Sequence, residues 1–252
     1  MLVGSANWTV ILGKFDVHYA VSTLRRYSAV SRQSHMKAML RVFGYLKHHM
    51  KRQILCNTKE PDLSNVEVAE QNWSELYPDD REEYPPDMPT PKGKSLKITT
   101  YFDADCAHDL ETRRSVTGVI IFLNETPIQW YSKCQATVES STYGSEMVAA
   151  RIATELTMAM RYRLRMLGVP VEGPAILFGD NQSVVTNCSL STSTLKKKHN
   201  AIAYHRVREA VAAGVINLVH LPSKDNVADI MTKPLGPQQH YPFTTTMQEA
   251  QE

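Results

Sequence analysis

The stretch LKITTYFDA, residues 96–104, reads as a β-strand that delivers a carboxylate, Asp103, close to its end. Two more strand-like runs follow, SVTGVIIFL (115–123) and TPIQWYSK (126–133), and the short connection Asn124-Glu125 predicts a hairpin between them. Residues 145–167 contain neither Gly nor Pro and predict one long helix. Beyond it, PAILFGD (174–180) is a strand and NQSVVTNC (181–188) a short helix; residues 197–214 form a helix stopped at Gly214. VINLVHL (215–221) is a strand and NVADIMTK (226–233) a last short helix. The order β-β-β-α-β-α-α-β-α predicts an α/β fold: a mixed sheet with an antiparallel three-stranded start and helical crossovers.

Upstream of this unit, residues 15–28 and 33–49 read as helices, the second with Met36, Met39, Leu40, Phe43 and Leu46 at helical spacing. Residues 1–57 hold nine Lys/Arg against the single acid Asp16, whereas residues 60–87 hold ten Asp/Glu against Arg81. Such blocks point to a basic surface for a polyanion beside a solvated acidic segment. Periodicity stops from Thr58 to Lys94, where prolines alternate with acids. The expected organisation is therefore a helical segment (1–57), an acidic Pro-rich linker (58–96), the α/β unit (97–235) and a tail (236–252).

Composition narrows the function classes. With 42% hydrophobic and 21% charged residues the chain has the make-up of a globular protein. No apolar run approaches the roughly 20 residues of a membrane span, so no membrane partner is expected. Cys56, Cys106, Cys134 and Cys188 are scattered without a C-x-x-C pair, which speaks against a zinc site or a disulfide framework and for a reducing compartment.

Four carboxylates fall at the ends of predicted elements: Asp103, Glu146, Asp180 and Asp229. Each alone has a plain reading, as a strand end, a helix N-terminal charge, a cap or a solvated side chain. If the first and fourth strands are neighbours, Asp103 and Asp180 emerge side by side, and a helix crossing that edge brings Glu146 over them. Such an oxygen-rich site suits Mg²⁺ or Mn²⁺, and two ions about 4 Å apart can work on a phosphodiester.

The pieces YFDADCAHDLETRRSVTGVIIFL, PIQWYSKCQATVESSTYGSEMVAA, LFGDNQSVV, KKHNAIAYHRVREAV and DNVADIMTKPL occur in that order between about Lys97 and Leu235. Together they resemble the ribonuclease H domain of copia-type (Pseudoviridae) LTR retrotransposons. FDVHYAVSTLRRYSA and HMKAMLRVFGYLKHH, upstream, look like the stretch that follows the palm in the reverse transcriptase of the same family. The resemblance implies a ribonuclease H-like mixed five-stranded sheet flanked by helices, preceded by a helical remnant of the reverse transcriptase thumb or connection. It also implies two-metal hydrolysis of the RNA strand of RNA–DNA hybrids, with two Mg²⁺ or Mn²⁺ ions on Asp103, Glu146, Asp180 and Asp229 as the catalytic and metal-binding acids. Lys196, Lys197, Lys198, His199 and Arg206 become candidates for nucleic-acid contact. Partners would be the hybrid and the remainder of a Pol polyprotein; the compartment would be the cytoplasm, in a virus-like particle, or the nucleus. The alternative reading is a catalytically inactive or domesticated fragment that binds nucleic acid.

Several details depart from the family pattern or compete with it. The turn before the long helix keeps one acid, Glu146, where the family has two, and Cys106 replaces a Trp after Asp103-Ala104-Asp105. Asp105 reads as a neighbour of the site and His220 as a strand-end residue. Tyr77-Pro78-Asp79-Asp80 matches the Tyr-x-Asp-Asp of polymerases, but it lies in the acidic linker with no apolar strand on either side, so no polymerase activity is expected.

Overall fold

The computed structural model describes residues 2–68, 70–107, 109, 111–195 and 198–250. In chain order it contains α1 (Leu2–Ile11), α2 (His18–Arg26), α3 (Gln33–His48), β1 (Arg52–Ile54), β2 (Ile98–Asp105), β3 (Val116–Leu123), β4 (Thr126–Cys134) and α4 (Thr142–Met166). Then come β5 (Ala175–Gly179), α5 (Gln182–Ser189), α6 (Ala201–Ala212), β6 (Ile216–His220), α7 (Pro237–Met247) and β7 (Gln248–Ala250). The predicted last helix is a 3₁₀ helix, Val227–Met231.

The five central strands form one sheet in the order β4-β3-β2-β5-β6. β2, β3 and β4 are antiparallel, whereas β5 runs parallel to β2 and β6 parallel to β5. This is the ribonuclease H-like sheet that the resemblance implies, and it makes β2 and β5 direct neighbours. β3 explains the continuous apolar run of its sequence, because both of its faces are covered. Val119 and Ile121 pack with Phe102, Met147 and Leu177 in the core that includes α4 and α6 residues. Ile120 and Phe122 pack instead with Phe15, Ile230, Met231 and Met247.

α1 carries apolar residues around much of its surface, so its sequence (LVGSANWTVI) lacks the one-sided stripe of an amphipathic helix and was not anticipated. It packs through Ala6 and Val10 against Val21, Met39 and Val42 of α2 and α3. Residues 236–250, part of the stretch 236–252 read as a tail, join this same unit: β7 pairs antiparallel with β1, and Gln248 Nε2 donates to Gly13 O at 2.9 Å. A buried network completes it, with Tyr45 Oη donating to Asp16 Oδ2 at 2.7 Å and Arg52 Nη1 donating to Tyr45 Oη at 3.0 Å.

Among the described residues the acidic linker forms neither helix nor strand between Leu55 and Lys97, but it is pinned along α4 and α6. Glu82 accepts from Arg161 at 2.6 and 2.8 Å and from Arg165 at 2.6 and 2.9 Å. Arg208 lies 4.7 Å from the Trp73 ring, and Tyr77 Oη contacts His205 Nδ1 at 2.7 Å. Tyr77–Asp80 belongs to this stretch and lies on no strand.

Gly118 of β3 controls how closely the 3₁₀ helix approaches the sheet. A Cβ there would stand 2.7 Å from Met231 Cβ, 2.7 Å from Thr232 Cγ2 and 2.9 Å from Ala228 O. Gly118→Ala is therefore expected to cost about 1–3 kcal/mol, lowering the melting temperature by several degrees in a thermal melt. An unchanged melting temperature would mean that the 3₁₀ helix is free to move.

Candidate active site

Three carboxylates converge at the carboxyl ends of β2 and β5. Asp103 is near the end of β2, and Asp180 follows β5 directly, so the parallel pairing of these strands sets them side by side. Glu146 comes from the first turns of α4, whose N-terminus is capped by Ser141 Oγ accepting from Gly144 N at 3.2 Å. One oxygen from each of Asp103, Glu146 and Asp180 lies within 4.8 Å of the others.

Asp103 and Glu146 are buried, and each is held from one side. Thr232 Oγ1 donates to Asp103 Oδ2, and Glu146 Oε1 accepts from Ala104 N at 3.2 Å. Glu146 Oε2 is buried with no hydrogen-bond partner among the described residues. A buried, unsatisfied carboxylate oxygen is costly, and a hard divalent cation in an all-oxygen setting satisfies it. The donor set therefore fits Mg²⁺ or Mn²⁺.

Asp229 stands beside this trio rather than inside it. The 3₁₀ helix presents it under β2, where Asn226 Nδ2 donates to Phe102 O at 2.9 Å and Asn226 Oδ1 accepts from Ala228 N at 3.1 Å. Its partner is Lys233, whose Nζ is 2.8 Å from Asp229 Oδ1 and 3.9 Å from Asp103 Oδ2. Lys233 and Thr232 were not singled out from the sequence. The spacing of Asp229 and Lys233 allowed a local pair, but nothing local indicates that both Thr232 and Lys233 reach Asp103.

The electrostatics are those of acids crowded out of water. Burial pushes Asp103 up to about 7, with Lys233 opposing the shift and Asp229 adding to it. Burial, reinforced by Asp103 and Asp180, pushes Glu146 well above the usual carboxylate range, and burial also raises Asp229 against the pull of Lys233. Lys233 itself is raised: burial works against its charge, but the facing carboxylates outweigh it. From about pH 4 to about pH 7 the folded chain thus keeps protons that the unfolded chain has released. Stability without metal is expected to fall as pH rises through that window and to recover when Mg²⁺ is added. Melting curves at pH 5 and 8, in EDTA and in Mg²⁺, check this; a metal-free protein more stable at pH 8 would contradict it.

The candidate nucleic-acid residues are placed as follows. Lys196 and Lys197 lie outside the described residues. Lys198 and His199 are exposed next to Asn200, whose Nδ2 is 3.5 Å from Gly144 O at the start of α4. His199 Nε2 is 3.7 Å from Glu139 Oε2, and Arg206 pairs with Glu209 at 3.7 Å on the outer side of α6. Lys198 and His199 thus flank the helix that carries Glu146, whereas Arg206 has no contact with the acids among the described residues. His220 ends β6 with its ring 3.2 Å from Asp180 O.

No protein-family model matches the chain. Among curated proteins it is similar to the retrovirus-related Pol polyproteins from transposons RE1 and RE2 of Arabidopsis thaliana. The identities are 27% and 28% over 236 residues, 93% of this chain, and the chain spans 14% of the length of each relative. Among solved structures, LC11-RNase H1 in complex with an RNA/DNA hybrid is 16% identical, covering 54% of this chain and 94% of that one with a TM-score of 0.44. The fold assignment rests on the strand order given above rather than on that superposition. Over 93% of its length the chain is thus similar to retrovirus-related Pol polyproteins from transposons, and the strand order of its five-stranded unit is ribonuclease H-like.

Proposed function

We propose that this chain hydrolyses the RNA strand of RNA–DNA hybrids, with divalent metal ions held by Asp103, Glu146, Asp180 and Asp229. The observation that carries the reading is the convergence of three carboxylate oxygens within 4.8 Å, one of them on a buried Glu146 whose second oxygen has no partner. When bound, a pair of Mg²⁺ or Mn²⁺ ions supplies an activated water and charge stabilisation at the leaving 3′ oxygen.

The chain's own groups prepare that site. The Thr232 hydroxyl and the Ala104 amide fix one oxygen each of Asp103 and Glu146, which leaves the remaining oxygens to face the shared space. Lys233 balances part of the negative charge and is half-exposed, so its ammonium lies within reach of an incoming phosphate. Lys198 and His199, beside the start of α4, supply phosphate contacts next to the acids, with Lys196, Lys197 and Arg206 as further contacts along the same segment. A hybrid is recognised through its shape, phosphates and 2′-hydroxyls rather than its base sequence.

The test is incubation of the purified chain with an end-labelled RNA–DNA hybrid and Mg²⁺. Metal-dependent shortening of the RNA strand alone is the expected result. Hybrid binding that persists in EDTA, with no cleavage at any metal concentration, would replace this reading with that of a binding fragment.

A further inference from the structure

Between β2 and β3 the chain reads CAHDLETRRS, residues 106–115, and it leaves the strand that carries Asp103 shortly past that acid. Two of its residues stand in left-handed backbone, Ala107 at φ 53° and Arg113 at φ 56°, a costly conformation for any residue other than Gly. Asp109 holds the turn in this shape. Its carboxylate, 3% exposed, accepts from the Thr112 hydroxyl and from Glu111 N at 3.4 Å, and it ion-pairs with Arg26 at the end of α2. Backbone bonds close the turn: Arg113 N donates to Asp109 O at 2.6 Å and Asp109 N to Arg114 O at 3.2 Å. Ala107 N donates to Ser115 Oγ at 3.1 Å. The N-terminal helical unit thus pins a loop that springs from the acid end of the sheet.

The pinned loop displays charge without a partner. Arg113 and Arg114 are both exposed. Of the eight arginines between Lys97 and Leu235, Arg151 and Arg206 pair with glutamates on their own helices, and Arg161 and Arg165 share Glu82. Arg208 donates to three backbone carbonyls. Among the described residues, the side chains of Arg113, Arg114 and Arg163 alone have neither a hydrogen-bond nor a carboxylate partner. Arg163 is in the last turn of α4, roughly 25 Å along the helix from Glu146. Arg113 and Arg114 stand at the other end, with the acids. In the β2–β3 register Asp103 faces Gly118, four residues from Arg114, which keeps the Arg114 backbone within about 14 Å of Gly118. With Asp109 neutralised by Arg26, the tip 111–114 carries these two cations against Glu111.

We propose that this loop is a phosphate-binding arm of the site: Arg113 and Arg114 hold the nucleic-acid backbone beside the acids, and Arg26 with Asp109 sets the position of the arm. The N-terminal helical unit then acts on the substrate through the loop. Arg26 and Asp109 are positioning residues, and the two exposed arginines make the contacts. Arginine suits the role because its planar fork takes phosphate oxygens two at a time. Such contacts position a duplex without reading sequence, and their strength falls with salt. The identity of the nucleic acid as an RNA–DNA hybrid rests on the reading above; the arm itself is argued from unpaired charge, register and the buried pin.

The experiment measures binding of a fluorescent RNA–DNA hybrid by anisotropy in EDTA across a salt series, and the KM and kcat of cleavage in Mg²⁺. It compares the full chain with Arg113→Ala/Arg114→Ala, and with Lys92→Ala/Arg163→Ala at the far end of α4 as the control pair. Loss of two phosphate contacts is expected to weaken binding about tenfold or more and to lower the slope of log affinity against log salt by roughly two. KM is expected to rise in step while kcat stays within about threefold. The control pair is expected to change the affinity by less than about twofold. Arg26→Ala is expected to weaken binding about threefold or more, Arg26→Lys to restore most of it, and Arg26→Ala to add nothing once Arg113 and Arg114 are alanine. Unchanged affinity and slope in Arg113→Ala/Arg114→Ala, with cleavage intact, would overturn the arm and leave the hydrolase reading standing. Equal weakening by the control pair would also overturn it, because a diffuse basic field would then account for binding. An Arg26→Ala effect that persists in full without the two arginines would overturn the positioning role. A wild-type chain that neither binds nor cleaves the hybrid would overturn both the arm and the hydrolase reading.

Discussion

Asp103→Asn is expected to lower the rate of RNA-strand hydrolysis by roughly 10³-fold or more while making the metal-free protein more stable. The rate loss follows from the position of Asp103 between the trio and Lys233. It is the one acid that contacts Thr232, lies within 4 Å of Lys233 and shares a 4.8 Å cluster with Glu146 and Asp180. Metal ions stabilise such reactions by several kcal/mol, and about 4 kcal/mol corresponds to roughly 10³ in rate. The stability gain has the opposite origin. Asp103 ionises in the folded state only at the expense of burial and of repulsion by Asp229, and an amide removes both terms while still accepting from Thr232. Relief on the order of 1 kcal/mol raises the melting temperature by about 2–4 °C in a chain of this size. Added Mg²⁺ should then stabilise the wild type and not the variant. A variant that cleaves at the wild-type rate would remove Asp103 from the mechanism. One that melts lower in EDTA would show that Asp103 is structural.

Glu82→Gln is expected to be the most destabilising single change outside the sheet, at about 3–5 kcal/mol. Arg161 and Arg165 project from the C-terminal half of α4 and are almost fully buried, and Glu82 takes two hydrogen bonds from each. A neutral amide leaves two guanidinium groups out of water without a counter-charge. The pH dependence has the usual carboxylate sign. Burial opposes the charge of Glu82, but the two arginines outweigh it and hold its pKa below the ordinary value. Its contribution is therefore complete above the unfolded pKa and is lost as pH falls through the folded value. Urea denaturation at pH 7 measures the loss, and limited proteolysis between residues 60 and 90 reports whether the strap has left the surface. A loss below about 1 kcal/mol would mean that the arginines find water or other partners without it.

The two predictions concern regions of different legibility. The apolar strand-like runs of β2, β3 and β4, the Asn124-Glu125 turn and the uninterrupted run of α4 are local signals, and each survived into the structure within a few residues. The same holds for the acids: a carboxylate after an apolar strand or in a helix start is visible one by one. Helix α1 was invisible because apolar residues spread around it erase the helical stripe. The C-terminal residues read as a tail because a strand of three residues has no pattern until its partner, Arg52–Ile54, is beside it.

What the sequence by itself determined is therefore the elements of the five-stranded unit, their order and the four acids, since these depend on spacing along the chain. Only the tertiary structure decided that β5 inserts beside β2, which places Asp180 next to Asp103. It also decided that Thr232 and Lys233 close on the same carboxylate, that Glu82 meets two buried arginines, and that Ser22 of α2 meets Ser132 of β4. The physical reason is common to all four. Each joins residues far apart in the chain through charge and hydrogen bonding, which carry no periodicity, and burial sets their strength only once the sheet has formed.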